Sequence, residues 1–139
     1  MTQAAFDQTF EQRLAKLDLR RVMEKLAMES NMSKEDLAVA EDLYRKFLTL
    51  KAKNPQIEMA PPVIVDRVWD LHVMFTRDYY NDCMMLFGEF LHHTPHVESD
   101  DFDVEPLFAN TRNLFKQQYG YDFTRQGLRA DYIRAALCS

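Results

Sequence analysis

Three residue types that bind cations or carry protons gather in one short stretch of this sequence: Asp66, Asp70, His72, Cys83, His92, His93 and His96. Carboxylate, imidazole and thiolate are the donors that hold zinc, iron and manganese, and the first two also act as acids and bases near neutral pH. Spacing decides which of them can act together. Asp66 and Asp70 are four apart, so on a helix both carboxylates project from one face and can share an ion. His72 lies about 200° from Asp70 around the same helix and cannot join that pair. His72 and Cys83 share a stripe, yet eleven residues of helix separate them by about 16 Å of rise, too far for two ligands of one ion.

A chain reversal removes that obstacle. Thr76 followed by Arg77-Asp78 reads as a helix N-cap with an acid in the first turn. If the chain turns there, helices over 63–75 and 77–90 form a hairpin, and His92 and His93 return beside Asp66 and Asp70. The set Asp66, Asp70, His92 and His93 is then the expected shell of a divalent metal, zinc, iron or manganese, with the open position that a catalytic ion requires. Trp69, His72, Tyr79, Tyr80 and Cys83 are the expected lining of a polar pocket beside it.

Each of these residues also has a purely structural reading. Asp66 and Asp70 suit the first turns of a helix, where the macrodipole favours acids. His72 falls on an apolar stripe with Trp69 and Phe75, as a buried neutral histidine would. Tyrosine bodies are ordinary core material, and Cys83, flanked by Asp82 and Met84-Met85, has no cation to activate its thiol. Pro95 prevents a regular helical His-x-x-His arrangement in His92-His93-Thr94-Pro95-His96, leaving a loop that closes over a site or a solvated turn. Gly88 reads as a point of close helix approach.

The positioning elements follow from apolar spacing. Phe6, Phe10, Leu14 and Leu17 form one helical stripe, and Leu19, Val22, Met23 and Leu26 form a second after the candidate N-cap Asp18. Ser33 opens a helix with a capping-box-like start, which runs to Asn54-Pro55. Pro61-Pro62 suits a first helical turn before the stripe Val65, Val68, Trp69, His72, Phe75 and Thr76. Leu107, Phe108, Leu114 and Phe115 mark a helix that ends near Gly120, and Leu128, Tyr132, Ile133, Ala136 and Leu137 a short final one. The expected fold is all-α: a single domain over residues 1–139, a compact bundle of about six helices with an irregular His-rich loop from His92 to Asp103.

Charge sharpens the location. The net charge of −5 conceals a local balance of −9 over residues 54–110, where eleven acids face only Arg67 and Arg77. That acidic third contains every candidate ligand named above, and it argues against nucleic acid as a partner, since phosphate binding needs a concentrated basic surface. No apolar run approaches the length of a membrane-spanning helix, and the first residues lack a signal-peptide pattern, so the cytoplasm is the expected location. Two cysteines, Cys83 and Cys138, are read as free thiols.

The stretch Val65-Asp66-Arg67-Val68-Trp69-Asp70-Leu71-His72, continued by Tyr79, Tyr80, Cys83, Gly88 and His92-His93-Thr94-Pro95, resembles the glycine-rich domain-containing protein-like family, a domain of unknown function with short bacterial members. Asp66, Trp69, His72, Tyr79 or Tyr80, Cys83, Gly88, His93 and Pro95 fall on its motif positions, while Asp70 stands where that family has a histidine. The resemblance implies a helical fold and a suspect site without an assigned reaction. The expected function is that of an accessory or protein-interaction domain with a polar, metal-holding pocket, its partner a protein or a small molecule. The alternative is a metal-dependent enzyme using the same Asp/His site.

Overall fold

The computed structural model describes residues 3–138, with side chains described from Thr9 onward. Seven helices are present among these residues: α1 (Gln3–Leu14), α2 (Arg20–Glu29), α3 (Lys34–Lys53), α4 (Val63–Met74), α5 (Thr76–Phe87), α6 (Glu105–Tyr119) and the single-turn α7 (Ala130–Ile133). Short 3-10 turns at Glu98–Asp100 and Phe123–Arg125 complete the regular structure. The side chain of Phe6 lies outside the described residues. No helix is long and apolar enough to cross a membrane among the residues described.

Local chemistry accounts for the boundaries. The Ser33 hydroxyl accepts the Asp36 N–H at 3.1 Å, so α3 starts where the capping signal falls. In α2 the cap is displaced by one residue: Leu19 occupies the N-cap position while the Asp18 carboxylate accepts the Arg20 N–H. Gly88 ends α5 in the left-handed conformation, φ +72°, and a Cβ there would meet nothing within 4 Å. Its role is that of a helix cap, so the close-approach reading is corrected.

The core is built on α3 and α4. Tyr44 and Phe47 of α3 and Ile64, Val65, Val68 and Trp69 of α4 are all fully buried. Burial of side chains this large stabilises by roughly 1.5 to 3 kcal/mol each, before the entropy of ordering them is subtracted. Helix α4 packs against α2, α3, α5 and α7, which makes it the most enclosed element and explains why its sequence is apolar on nearly every side.

The expected reversal occurs one residue earlier than the cap signal. Helix α4 stops at Met74 and α5 begins at Thr76, with Phe75 at φ −81°, ψ 69° as the joint. Phe75 donates its N–H to the His72 and Leu71 carbonyls, while its own carbonyl accepts from Tyr79 N–H at 2.8 Å, so the joint closes one helix and opens the next.

The C-terminal reading needs correction. Helix α7 covers only Ala130–Ile133, and residues 134–138 run as an extended strap instead of continuing the helix. The strap is held by one bond in each direction: the Val63 N–H, which the helix start would otherwise leave unpaired, donates to the Arg134 carbonyl, and the strap's Ala136 N–H donates to the Pro61 carbonyl, both 2.9 Å. On its other side His96 N–H reaches the Leu137 carbonyl at 3.0 Å, and Pro95 and Cys138 form an isolated antiparallel bridge. The strap therefore ties the start of α4 to the loop that follows α5.

Candidate metal centre

Three separated segments deliver donors to one point. Asp66 and Asp70 project from one face of α4, the post-α5 loop brings His93, and the strap brings Cys138. His93 Nε2 lies 3.0 Å from Asp66 Oδ1 and 2.8 Å from Asp70 Oδ1, so one ring nitrogen bridges both carboxylates. The Cys138 thiol donates to Asp66 Oδ1 at 3.1 Å. The donor atoms of Asp66, His93 and Cys138 all fall within 4.8 Å of one another.

Burial makes these contacts electrostatically strong. The His93 side chain is 6% exposed and that of Asp66 21%, while Asp70, at 55%, forms the open edge of the cluster. Burial pushes the Asp66 carboxyl up, but the hydrogen bonds from His93 and Cys138 and the His93 charge outweigh it and hold the group below 3.8. For His93 burial favours the neutral ring, and the two carboxylates overcome it, raising the imidazole above 6.5. The Cys138 thiol is pushed far up, first by burial and then by the Asp66 carboxylate, so without a cation it stays protonated.

A second layer fixes His93. Its ring packs against the Trp69 indole with centroids 3.7 Å apart. Trp69 Nε1–H donates to the Tyr79 hydroxyl at 2.9 Å, and that hydroxyl donates to the Leu91 carbonyl, two residues before His93. The chain of contacts from α4 through α5 into the loop sets where the imidazole stands. His93 Nδ1 is buried and has no hydrogen-bond partner among the described residues.

The remaining sequence candidates are distributed elsewhere. His92 is exposed, its ring edge-on to Phe90 and not against the carboxylates, because neighbours in an extended segment point to opposite sides. Tyr80 is 53% exposed: one helical step of about 100° from Tyr79 turns it away from the indole. His72 is buried in a separate relay, Nδ1 on the Tyr44 hydroxyl and Nε2 on Asp82 Oδ2, both 2.7 Å. Cys83 is buried, and desolvation raises its thiol above 9.0. Cys138 is the member of the cluster that sequence reasoning missed. No spacing signal pointed to it, since it lies 72 positions from its partner Asp66.

Chemically, Asp66, His93 and Cys138 offer a carboxylate, an imidazole and a thiol at one small site, with the Asp70 carboxylate at its edge, 2.8 Å from His93 Nε2, a set that matches borderline transition metals better than magnesium or calcium. A family model described as UCP032817-like matches residues 8–103, more than two thirds of the chain, and spans Asp66, Asp70 and His93 but not Cys138. No curated protein and no solved structure matches the chain.

Proposed function

The chain belongs to the UCP032817-like family, and from that premise we propose that it is a small helical accessory domain holding a divalent transition metal at Asp66, Asp70, His93 and Cys138. The observation that carries the reading is the position of His93 Nε2, within 3.0 Å of a carboxylate oxygen on each side, inside a cluster assembled from three distant segments. A proton bridges these groups in the metal-free chain. A cation would take its place, with His93 neutral, both carboxylates ionised and the Cys138 proton released. Sulfur and nitrogen beside two carboxylates favour zinc or iron, with manganese the weaker ligand match. The lone Nδ1 of His93 has no acceptor to orient it, which predicts looser binding than in sites with a complete outer shell.

The motif's likeness to the glycine-rich domain-containing protein-like family belongs to this reading, with Asp70 in the position of that family's histidine. The two free thiols support a reducing compartment, the cytoplasm. A protein or small-molecule partner is proposed on the exposed side, where Tyr80 and Phe90 lie next to each other. One observation favours the second reading, a metal-dependent enzyme: exposed Asp70 leaves the cluster open to solvent, so bound water could occupy a coordination position.

Elemental analysis of protein purified without chelator tests the proposal. The expectation is close to one equivalent of zinc or iron, lost in Asp66→Ala. Less than about one-tenth of an equivalent, with no thermal shift on adding zinc, iron or manganese salts, contradicts it.

A further inference from the structure

Lys51, near the end of α3, carries an ammonium with no carboxylate oxygen within 4.0 Å among the described residues. It is half-buried, with Nζ 5.4 Å from the Phe47 ring centroid and 5.6 Å from that of Trp69. Aromatic faces compensate a desolvated cation only in part. Burial accordingly lowers its affinity for a proton, and the more distant Cys138 and Glu58 restore only some of it. A half-buried ammonium with no carboxylate beside it gains from contact with an anion.

The space beside it fits a ligand. A cleft of about 410 Å³ opens between the end of α3 and the His loop, with Lys51, Ile57, Glu58, His92, His96 and Phe102 in its walls. A second cavity of about 270 Å³, with Arg13 in its wall, also opens on Lys51. The larger cleft lies within the size range of small-molecule sites, roughly 300 to 1,000 Å³. One wall is flat: the His96 and Phe102 rings stack at 3.7 Å with only 9° between their planes, with the Asp100 carboxylate 3.7 Å from His96 Nδ1. Among the described residues Lys51 is the one Lys or Arg in this lining and Glu58 the one carboxylate, so a second negative charge on a ligand would gain no second ammonium and add to the repulsion from Glu58.

We infer that this cleft binds a small monocarboxylate with a flat apolar body, its carboxylate on Lys51 and its body against Ile57 and the His96–Phe102 stack. The site is separate from the donor cluster, although the two share the Trp69 indole, which the Lys51 ammonium approaches and against which His93 packs. None of Asp66, Asp70, His93 and Cys138 lines the cleft, so its occupancy is tested on the metal-free chain.

The test uses the full chain in chelator, with benzoate as probe and benzamide as its neutral isostere, followed by backbone amide chemical shifts. Saturable shifts at Lys51, Ile57, His92 and His96 are expected with benzoate, with a Kd on the order of a millimolar. Benzamide should bind at least about tenfold more weakly, as should benzoate to Lys51→Met, because a charge-assisted hydrogen bond is removed in each case. Lys51→Arg should retain binding. Equal affinity for benzoate and benzamide, unchanged benzoate binding in Lys51→Met, tighter binding of inorganic phosphate at the same residues, or no saturable shift overturns the inference. Should Lys51→Met fail to fold, the comparison of benzoate with benzamide on the unaltered chain decides alone.

Discussion

The thiol of Cys138 donates to the carboxylate of Asp66 at 3.1 Å across 72 positions of sequence. That contact is made by a strap whose backbone is already committed on both sides, to Pro61 and Val63 at the start of α4 and to His96 in the loop. The arrangement brings a soft donor to a pair of hard ones and raises the thiol far above its ordinary range while no cation is present. The consequences can be measured one at a time.

The metal-free chain should have a stability optimum on the acid side of neutrality. His93 is raised above 6.5 in the folded state, so its stabilisation is complete below 6.5 and disappears as pH rises through the folded value. Asp66 is held below 3.8, so its contribution is present above 3.8 and disappears as pH falls through the folded value. Thermal melts in chelator should therefore peak between these limits, and His93→Gln should flatten the alkaline limb. A melting temperature unchanged across the alkaline limb in the unaltered chain would contradict the pairing.

Tyr79→Phe removes the hydroxyl that accepts from Trp69 Nε1–H and donates to the Leu91 carbonyl. The buried indole N–H and the part-buried Leu91 carbonyl lose their partner, at a cost of about 1 to 3 kcal/mol in urea unfolding. Because Leu91 precedes the His93 loop, metal affinity should fall as well, by about tenfold or more, in isothermal titration. Stability loss with unaltered metal affinity would mean that the Trp69–Tyr79 link does not position His93.

His72→Phe separates core from site. It breaks the Tyr44–His72–Asp82 relay and leaves the fully buried Tyr44 hydroxyl without its partner, which should destabilise the fold by about 1 to 3 kcal/mol. Metal affinity should stay within a few-fold of the unaltered chain, since His72 faces away from the carboxylate pair. A large loss of metal from a folded His72→Phe protein would reassign the ligands.

Asp70→His exchanges the most exposed carboxylate of the cluster for a second imidazole. Neutral nitrogen binds zinc well and removes one like charge from the Asp66 neighbourhood, so zinc affinity should rise by several-fold or more in competition with a chromophoric chelator. An unchanged or weaker affinity would show that Asp70 does not face the ion.

Much of this arrangement was readable from residue spacing. Ser33 and Pro61-Pro62 marked helix starts, and the need to reconcile His92-His93 with Asp66 and Asp70 required a break near Thr76, which the chain makes at Phe75. The four-residue interval of Asp66 and Asp70 placed both on one face. What spacing could not decide was the choice between adjacent residues: His92 or His93, Tyr79 or Tyr80, since that choice is fixed by tertiary packing against Trp69. The strap was illegible for a different reason. Leu137 and Cys138 continue an apolar helical pattern, and the backbone bonds that pull them out of a helix come from Pro61, Val63 and His96, far away in sequence.

The most direct test is an equilibrium titration of the chelator-stripped chain with cobalt(II), read by absorption. One saturable equivalent with an intense, tetrahedral-type visible spectrum and a sulfur-to-cobalt charge-transfer band is expected, the band vanishing in Cys138→Ser and binding collapsing in Asp66→Ala. No saturable binding, or a spectrum with no sulfur band and no dependence on Asp66 or His93, would contradict the assignment of Asp66, Asp70, His93 and Cys138 as one metal centre.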